Sequence, residues 1–197
     1  MNPLQLILGD EEFLIDRATS SIIRAVRSTM QSNPEELPIT KLRAGDVTPS
    51  EISELLSPSL FAEDRVVILA AAGEAGKEAV STIEQAVKEP APGVVLIVIH
   101  SGGGRAKNLV KILKNAGADV TECPKLTKFS EREDFVVNEF RNLGVRPSRD
   151  TVHALLDAIG GDLRELASAV SQLVADTGGR VDPAAVRRYY AGIAGVT

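Results

Sequence analysis

The chain of 197 residues contains one cysteine, no tryptophan and two histidines, and aromatic rings make up only 4% of it. A lone Cys123 cannot close an internal disulfide, and His100 and His153 add no cluster with the spacing of a zinc site. Cys123 reads as a small residue at a strand end, and no metal or cofactor is expected. Long apolar runs are missing as well. Residues 94–99 form a run of large apolar side chains that is far shorter than the roughly 20 residues needed to span a bilayer. The opening Met1, Asn2 and Pro3 places no basic stretch ahead of an apolar one, so no secretory signal is expected. The expected location is the cytoplasm, with no membrane partner. An excess of positive charge is the last absence: the net charge is −5, with 14 basic against 17 acidic residues up to Lys128 and 8 against 10 from Phe129 on. Strong autonomous binding to nucleic acid needs a positive field that displaces counterions, and neither part supplies one.

What is present is a hydrophobic content of 44%, enough for a sizeable core in one large domain or two small ones. Residues 4–8, 39–42, 66–70, 94–99 and 119–122 read as strands. Between them, helices are expected over residues 11–31, from a cap at Thr48 or Ser50 through Leu56, over 77–88 and over 105–115. The first helix carries Leu14, Ala18, Ile22 and Ala25 at helical spacing and is stopped by Asn33 and Pro34. Alternation of strand and helix, with nearly unbroken apolar strands, predicts a doubly wound parallel α/β domain with helices on both faces.

Beyond Thr127 no strand pattern remains. Helices are expected over residues 130–143, 148–159, 162–176 and 183–190. Ser130 with Glu133 offers a capping box, Ser148 and Asp162 offer N-caps, and Asp182 precedes Pro183 at the first helical position. The predicted boundary lies within residues 124–129, giving an α/β domain over 1–126 and a small helical, lid-like domain over 127–197.

This layout resembles that of AAA+ ATPases, so a phosphate-binding loop is the first chemistry to seek. Such a loop sets two glycines on either side of four residues, followed by Lys and Ser or Thr. The nearest match, Gly73-Glu74-Ala75-Gly76-Lys77-Glu78, spaces its glycines too closely and puts carboxylates at Glu74 and Glu78 where phosphate and magnesium would need donors and a hydroxyl. Such domains carry the loop after the first strand. There this chain has Gly9, Asp10, Glu11 and Glu12, which repel phosphate. The run Ser101-Gly102-Gly103-Gly104-Arg105 is a better anion site on paper, since a glycine-rich loop ahead of a helix offers N–H donors beside Arg105 and Lys107. A phosphate- or nucleotide-dependent enzyme using Gly102, Gly103, Gly104 and Arg105 is therefore the alternative reading, against a plain surface turn. His100 and His153 have no nucleophile and orienting acid that spacing identifies, so no catalytic residue is assigned.

Three short motifs occur in order: Leu6-Ile7-Leu8-Gly9-Asp10-Glu11-Glu12-Phe13-Leu14-Ile15, then Ser59-Leu60-Phe61-Ala62-Glu63 ahead of Val66-Val67-Ile68-Leu69, then Gly161-Asp162-Leu163-Arg164-Glu165-Leu166. Together they resemble the delta subunit of bacterial DNA polymerase III, the clamp-loader protein that opens the ring-shaped sliding clamp. The resemblance implies an AAA+-like fold without a functional phosphate loop. It also implies DNA replication as the process, and no catalytic site in a chain that serves a nucleotidyltransferase holoenzyme. The implied partners are the sliding clamp (beta subunit), the gamma/tau and delta-prime loader subunits, and primer-template DNA only within the assembly. Gly161-Asp162-Leu163-Arg164 is similar to a sensor motif whose arginine reaches a nucleotide in active relatives. Without a phosphate loop, Arg164 is expected to make a helix-start ion pair or to contact the neighbouring domain. The family continues into a third, helical collar domain, and the ending Ala194, Gly195, Val196 and Thr197 is expected to mark a shortened form that lacks it.

The resemblance maps a clamp-binding plug onto Leu60 and Phe61, with Leu56, Ser57, Pro58 and Ser59 as flanking contacts. Leu56 departs from the family's wider clamp-binding pattern, which favours glutamine there. Leu60 and Phe61 sit just ahead of a buried strand, so core packing is the competing explanation of the pair, and a plug swallowed by a partner's pocket is the other. As a plug they would bury about 200 to 300 Å² of apolar surface, roughly 5 to 8 kcal/mol gross at about 25 cal/mol per Å². A third possibility is a nucleic-acid-binding module acting through the arginine-rich helical domain, which the acidic balance disfavours.

Overall fold

The computed structural model describes residues 1–30, 34–59 and 63–194. The expected end of the first helix at residue 31, its stop at Asn33, the pair Leu60 and Phe61, and residues 195–197 lie outside that set. The chain divides into two compact units, Met1–Lys125 and Leu126–Thr197.

The first unit is a five-stranded sheet of β1 (Leu4–Gly9), β2 (Ile39–Arg43), β3 (Arg65–Ala70), β4 (Val94–His100) and β5 (Asp119–Cys123) in the order β2-β3-β4-β1-β5. Every neighbouring pair is parallel. The period of two along each strand sorts the apolar residues onto opposite faces. Leu6, Val67, Leu69, Leu96 and Val98 pack on one side with Ile52, Ile83, Leu109 and Leu113, which come from α2 (Pro49–Leu56), α3 (Lys77–Lys88) and α4 (Asn108–Asn115). Ile7, Val66, Ile68 and Ile97 pack on the other with Val26 of α1 (Glu12–Thr29) and the half-buried Leu14, Ile15, Ala18, Ile22 and Ile23. Helices on both faces make this the doubly wound α/β fold that alternation predicts. In α1 the stripe drifts from its expected line: Val26 is buried and Ala25 exposed, because 3.6 residues per turn shifts the inward face over five turns.

Local chemistry fixes most boundaries. Thr48 caps α2, its hydroxyl accepting from the Glu51 N–H at 3.2 Å while the Glu51 carboxylate accepts from the Thr48 N–H at 2.7 Å. These bonds hold the Glu51 carboxyl below the ordinary carboxylate range, the Thr48 backbone bond contributing most. The helix expected from Arg105 begins at Asn108 instead. Ala106 donates its N–H to the Gly73 carbonyl at 3.0 Å, and the Arg105 guanidinium donates to the Glu74 carbonyl. Both residues are thus committed to the neighbouring loop before the helix starts.

The second unit packs α5 (Phe129–Asn142), α6 (Arg149–Ile159), α7 (Leu163–Thr177) and α8 (Pro183–Ala194) around Val136, Phe140, Leu155, Leu166, Val170 and Leu173. Ser148, Asp162 and Asp182 accept from the N–H groups of Thr151, Glu165 and Ala185, as expected of caps. The box expected at Ser130 and Glu133 does not form. The N-cap is Lys128, whose N–H donates to Glu131 at 2.9 Å. Glu133 is drawn instead to His153 and Arg149.

Candidate functional site

Ligands of open α/β sheets sit at the carboxyl ends of the strands, and here the loops of that edge are bonded to one another, leaving an open groove of about 710 Å³ lined by Arg43, Gly45, Asp46, Gly73, Glu74, Gly104 and Arg105. After β1, Gly9 lies against Cys123 so closely that a Cβ would stand 2.0 Å from the Cys123 carbonyl oxygen. The Glu11 N–H donates to that oxygen at 3.0 Å, and Lys125 pairs with the Glu11 carboxylate at 3.5 Å. The positive end of α1, where a phosphate would dock, therefore carries Glu11 and Glu12, and carboxylates take the place of the anion.

The other two candidate loops on this edge close on each other. The Gly73 to Glu78 run folds as a 3-10 turn, Ala72–Glu74, ahead of α3, with the Glu74 and Ala75 N–H groups bonded to the Ala71 and Ala72 carbonyls. In the loop after β4, the buried His100 ring accepts from the Gly102 N–H at Nδ1, 2.8 Å away, so Nε2 carries the proton and donates to the Ala106 carbonyl at 3.0 Å. The Gly102 donor counted for an anion is thus spent inward, and Arg105 is spent on Glu74. Gly73 and Gly104 approach until a Cβ on either would lie 2.6 or 2.5 Å from a backbone oxygen of the facing loop. At the rim Arg43 clasps Glu74 with both hydrogen bonds at 2.8 Å, which keeps the Glu74 carboxyl below its ordinary range. Millimolar ATP or ADP with magnesium is expected to shift the melting temperature by less than about 1 °C. A ligand at a hundred times its Kd would add about 2.7 kcal/mol, several degrees for a chain of this size, and differential scanning fluorimetry decides between the two.

At the opposite, amino-terminal edge, the segment that carries Leu60 and Phe61 leaves α2 at Leu56 and returns at the first residue of β3. Its two ends are tied together. The Arg65 guanidinium donates to the Ser57 carbonyl, the Ser57 hydroxyl donates to the Ser53 carbonyl, and the Arg65 N–H donates to the Gly93 carbonyl at 2.8 Å. Gly93, at φ +77°, lets the linker before β4 come within contact of Glu63 and Asp64. Leu56 is half-buried, anchored on the sheet core beside Val87, Val94 and Leu96, whereas Ser57 and Pro58 are exposed. Leu56 and Pro58 form one wall of a groove of about 660 Å³ whose other wall is Ser81, Gln85 and Ala86 of α3. Of the expected site residues, then, Leu56 reaches the core, Ser57 and Pro58 face outward, Ser59 is half-buried, and Leu60 and Phe61 are outside the described set. Arg65 was not singled out by sequence, because its role depends on a carbonyl eight residues back, which no motif encodes.

In the helical unit, Arg164 is exposed in the first turn of α7. His153 on α6 meets the Glu133 carboxylate on α5, with the Phe129 ring edge-on at 5.3 Å. Among the described residues, no group of three or more His, Cys, Asp or Glu side chains is placed to hold a metal ion, and no helix is long and apolar enough to cross a membrane.

The structure is similar to the DNA clamp loader delta protein of Bacillus subtilis, with a TM-score of 0.75 and 22% identity over 95% of this chain and 58% of that one. It is more distantly similar to the RuvB Holliday junction branch migration motor of Thermotoga maritima, with a TM-score of 0.49 and 11% identity over 94% of this chain and 60% of that one. The chain thus spans less than two thirds of the length of either protein. No curated protein sequence matches it. Residues 6–124 match the family described as DNA polymerase III, delta subunit, and the chain belongs to that family.

Proposed function

We propose that this chain binds the sliding clamp during DNA replication and favours its open ring, with Leu60 and Phe61 as the plug and no nucleotide hydrolysis of its own. The observation that carries this reading is the bracket at the amino-terminal edge of the sheet. Arg65 closes the segment on Ser57 while α2 and Gly93 fix its flanks. A short loop with tied ends presents its tip at reduced entropic cost, which is how preorganised binding segments gain affinity. Opening needs no hydrolysis at this site. A protein with higher affinity for the open clamp than for the closed one shifts the equilibrium by that difference alone. Leu56, Ser57, Pro58 and Ser59 flank the plug as secondary contacts. The gamma/tau and delta-prime subunits are the partners of the longer protein, and primer-template DNA meets it within that assembly.

A direct affinity measurement against the purified clamp by calorimetry tests the reading, and absence of binding at micromolar concentrations overturns it. Arg65→Ala sharpens the test. It frees the Ser57 carbonyl without touching the plug, and clamp affinity is expected to fall about three- to tenfold. An unchanged affinity would show that the clasp does not position the segment.

A further inference from the structure

The groove between α2 and α3, at the amino-terminal edge of the sheet, has a chemistry of its own. Among the described residues that line it there is no lysine or arginine, and the one ionisable side chain is Glu89. Phosphates and acidic segments therefore find no counter-charge there. The floor is apolar: Leu56, Ala86, Pro90 and Ala91 also border a recess that reaches down to Val87, Val94 and Leu96 of the core. Above the floor, on α3, stand Ser81 and Gln85, both exposed, and neither side chain has a hydrogen-bond partner among the described residues. Thr82 beside them is committed, its hydroxyl donating to the Glu78 carbonyl at 2.9 Å. Four residues of helix separate Ser81 from Gln85 by about 6 Å along the axis. That is close to the roughly 6.6 Å between groups two residues apart on one side of an extended chain. A hydroxyl and a carboxamide can each donate and accept, as the N–H and C=O groups of a main chain require. The far wall, from Leu56 to Pro58, begins the segment between α2 and β3, and Leu60 follows Pro58 by two residues, a reach of at most about 7 Å.

From this chemistry we infer that the groove holds an extended, uncharged segment of the sliding clamp, with Ser81 and Gln85 bonded to its main chain and one apolar side chain seated over Leu56 and Ala86. The inference rests on the clamp-binding reading and adds a second contact to it, since a clamp that grips Leu60 stands within two residues' reach of the groove wall. Main-chain bonds set the register of a docked segment, and the recess selects the side chain at one position. The two contacts divide the work. Burial of the plug supplies most of the affinity, but a two-residue anchor leaves the clamp free to turn about it, and a second point of attachment removes that freedom. A DNA strand is the wrong occupant, because its phosphates would meet Glu89 and no cation. Contacts made by uncharged donors and acceptors should also persist when salt is raised.

The test is calorimetry of the whole chain against the purified clamp. Ser81→Tyr fills the groove from its rim without altering charge, and it is expected to weaken binding at least fivefold, by the same factor at low and at high salt. Gln85→Ala removes one main-chain partner, adds no bulk and should weaken binding about two- to fourfold. Ser20→Tyr makes the same change at an exposed serine of α1, on the other face of the sheet, and should have less than a twofold effect. Circular dichroism melts confirm the fold of each variant. If the wild-type chain binds the clamp and both groove variants bind it as tightly, the inference is overturned and the plug stands. If the wild-type chain does not bind, the clamp-binding reading fails and the inference with it. Equal losses in Ser81→Tyr and Ser20→Tyr also overturn it, as does a change in the sedimentation coefficient of the isolated chain on Ser81→Tyr, which would identify a second copy as the occupant.

Discussion

Replacing Leu60 and Phe61 together by alanine is expected to weaken clamp binding at least tenfold while moving the melting temperature by less than about 3 °C. The tenfold figure corresponds to about 1.4 kcal/mol, a small part of the roughly 5 to 8 kcal/mol that burying both side chains releases before ordering costs. Apolar anchors at the centre of an interface commonly exceed it. On the plug reading stability should be nearly untouched, because described residues alone pack both faces of the sheet. One face is filled by Ile52, Ile83, Leu109 and Leu113 against the sheet, the other by α1, and Leu56 seals the end of α2. The neighbours Ser57, Pro58 and Glu63 are exposed. Thermal melting and calorimetry against the clamp, run on the same preparation, separate the outcomes. A double variant that unfolds identifies the pair as core and removes it from the interface. A stable variant with undiminished affinity leaves the clamp to some other surface.

The parallel sheet was legible because its central strands are written as apolar runs, and helices on both faces follow from that alone. The α2 start was legible for a different reason. Thr48 and Glu51 stand three apart ahead of Ile52, and the box forms as written. The same pattern misleads at α5, where Ser130 and Glu133 fit it but the turn closes on Lys128 and Glu131. Only the tertiary pull of His153 and Arg149 on Glu133 decides between them. The start of α4 was misplaced for a like cause, since Arg105 and Ala106 answer to carbonyls thirty-odd residues earlier. At the candidate site, Leu60 and Phe61 were named by family resemblance, whereas the clasp of Arg65 on Ser57 needed coordinates. Strand starts offer no signal for what a long side chain reaches. The closure of the carboxyl edge was half legible: Asp10, Glu11 and Glu12 argue against phosphate by charge, but the inward use of Gly102 and His100 is a matter of geometry.

Gly9→Ala is expected to cost more than about 3 kcal/mol, lowering the melting temperature by roughly 6 to 12 °C for a chain of this length. Gly9 ends β1 at φ +144°, a conformation that side chains resist, and an added Cβ would lie 2.0 Å from the Cys123 oxygen, 2.2 Å from its carbonyl carbon and 2.9 Å from the Pro124 nitrogen. All three are backbone atoms, so no rotamer change relieves the overlap. Either β1 and β5 part at the register point where Gly9 faces Cys123, or the Glu11 N–H loses its acceptor on Cys123. Both routes release the loop that seals the carboxyl edge of the sheet. Gly117→Ala is the matched control. Gly117 sits at φ +86° with nothing within 4 Å of its added Cβ, so only the conformational penalty of about 1 to 3 kcal/mol applies. Chemical denaturation of both variants measures the difference. If Gly9→Ala proves no worse than the control, the end of β1 is free to move, and the closure that keeps phosphate from the first helix rests on the charges of Glu11 and Glu12 alone. If it is much worse, steric contact and charge act together. The same packing of β1 on β5 then also braces the sheet that carries, at its other edge, the ends of the segment between α2 and β3.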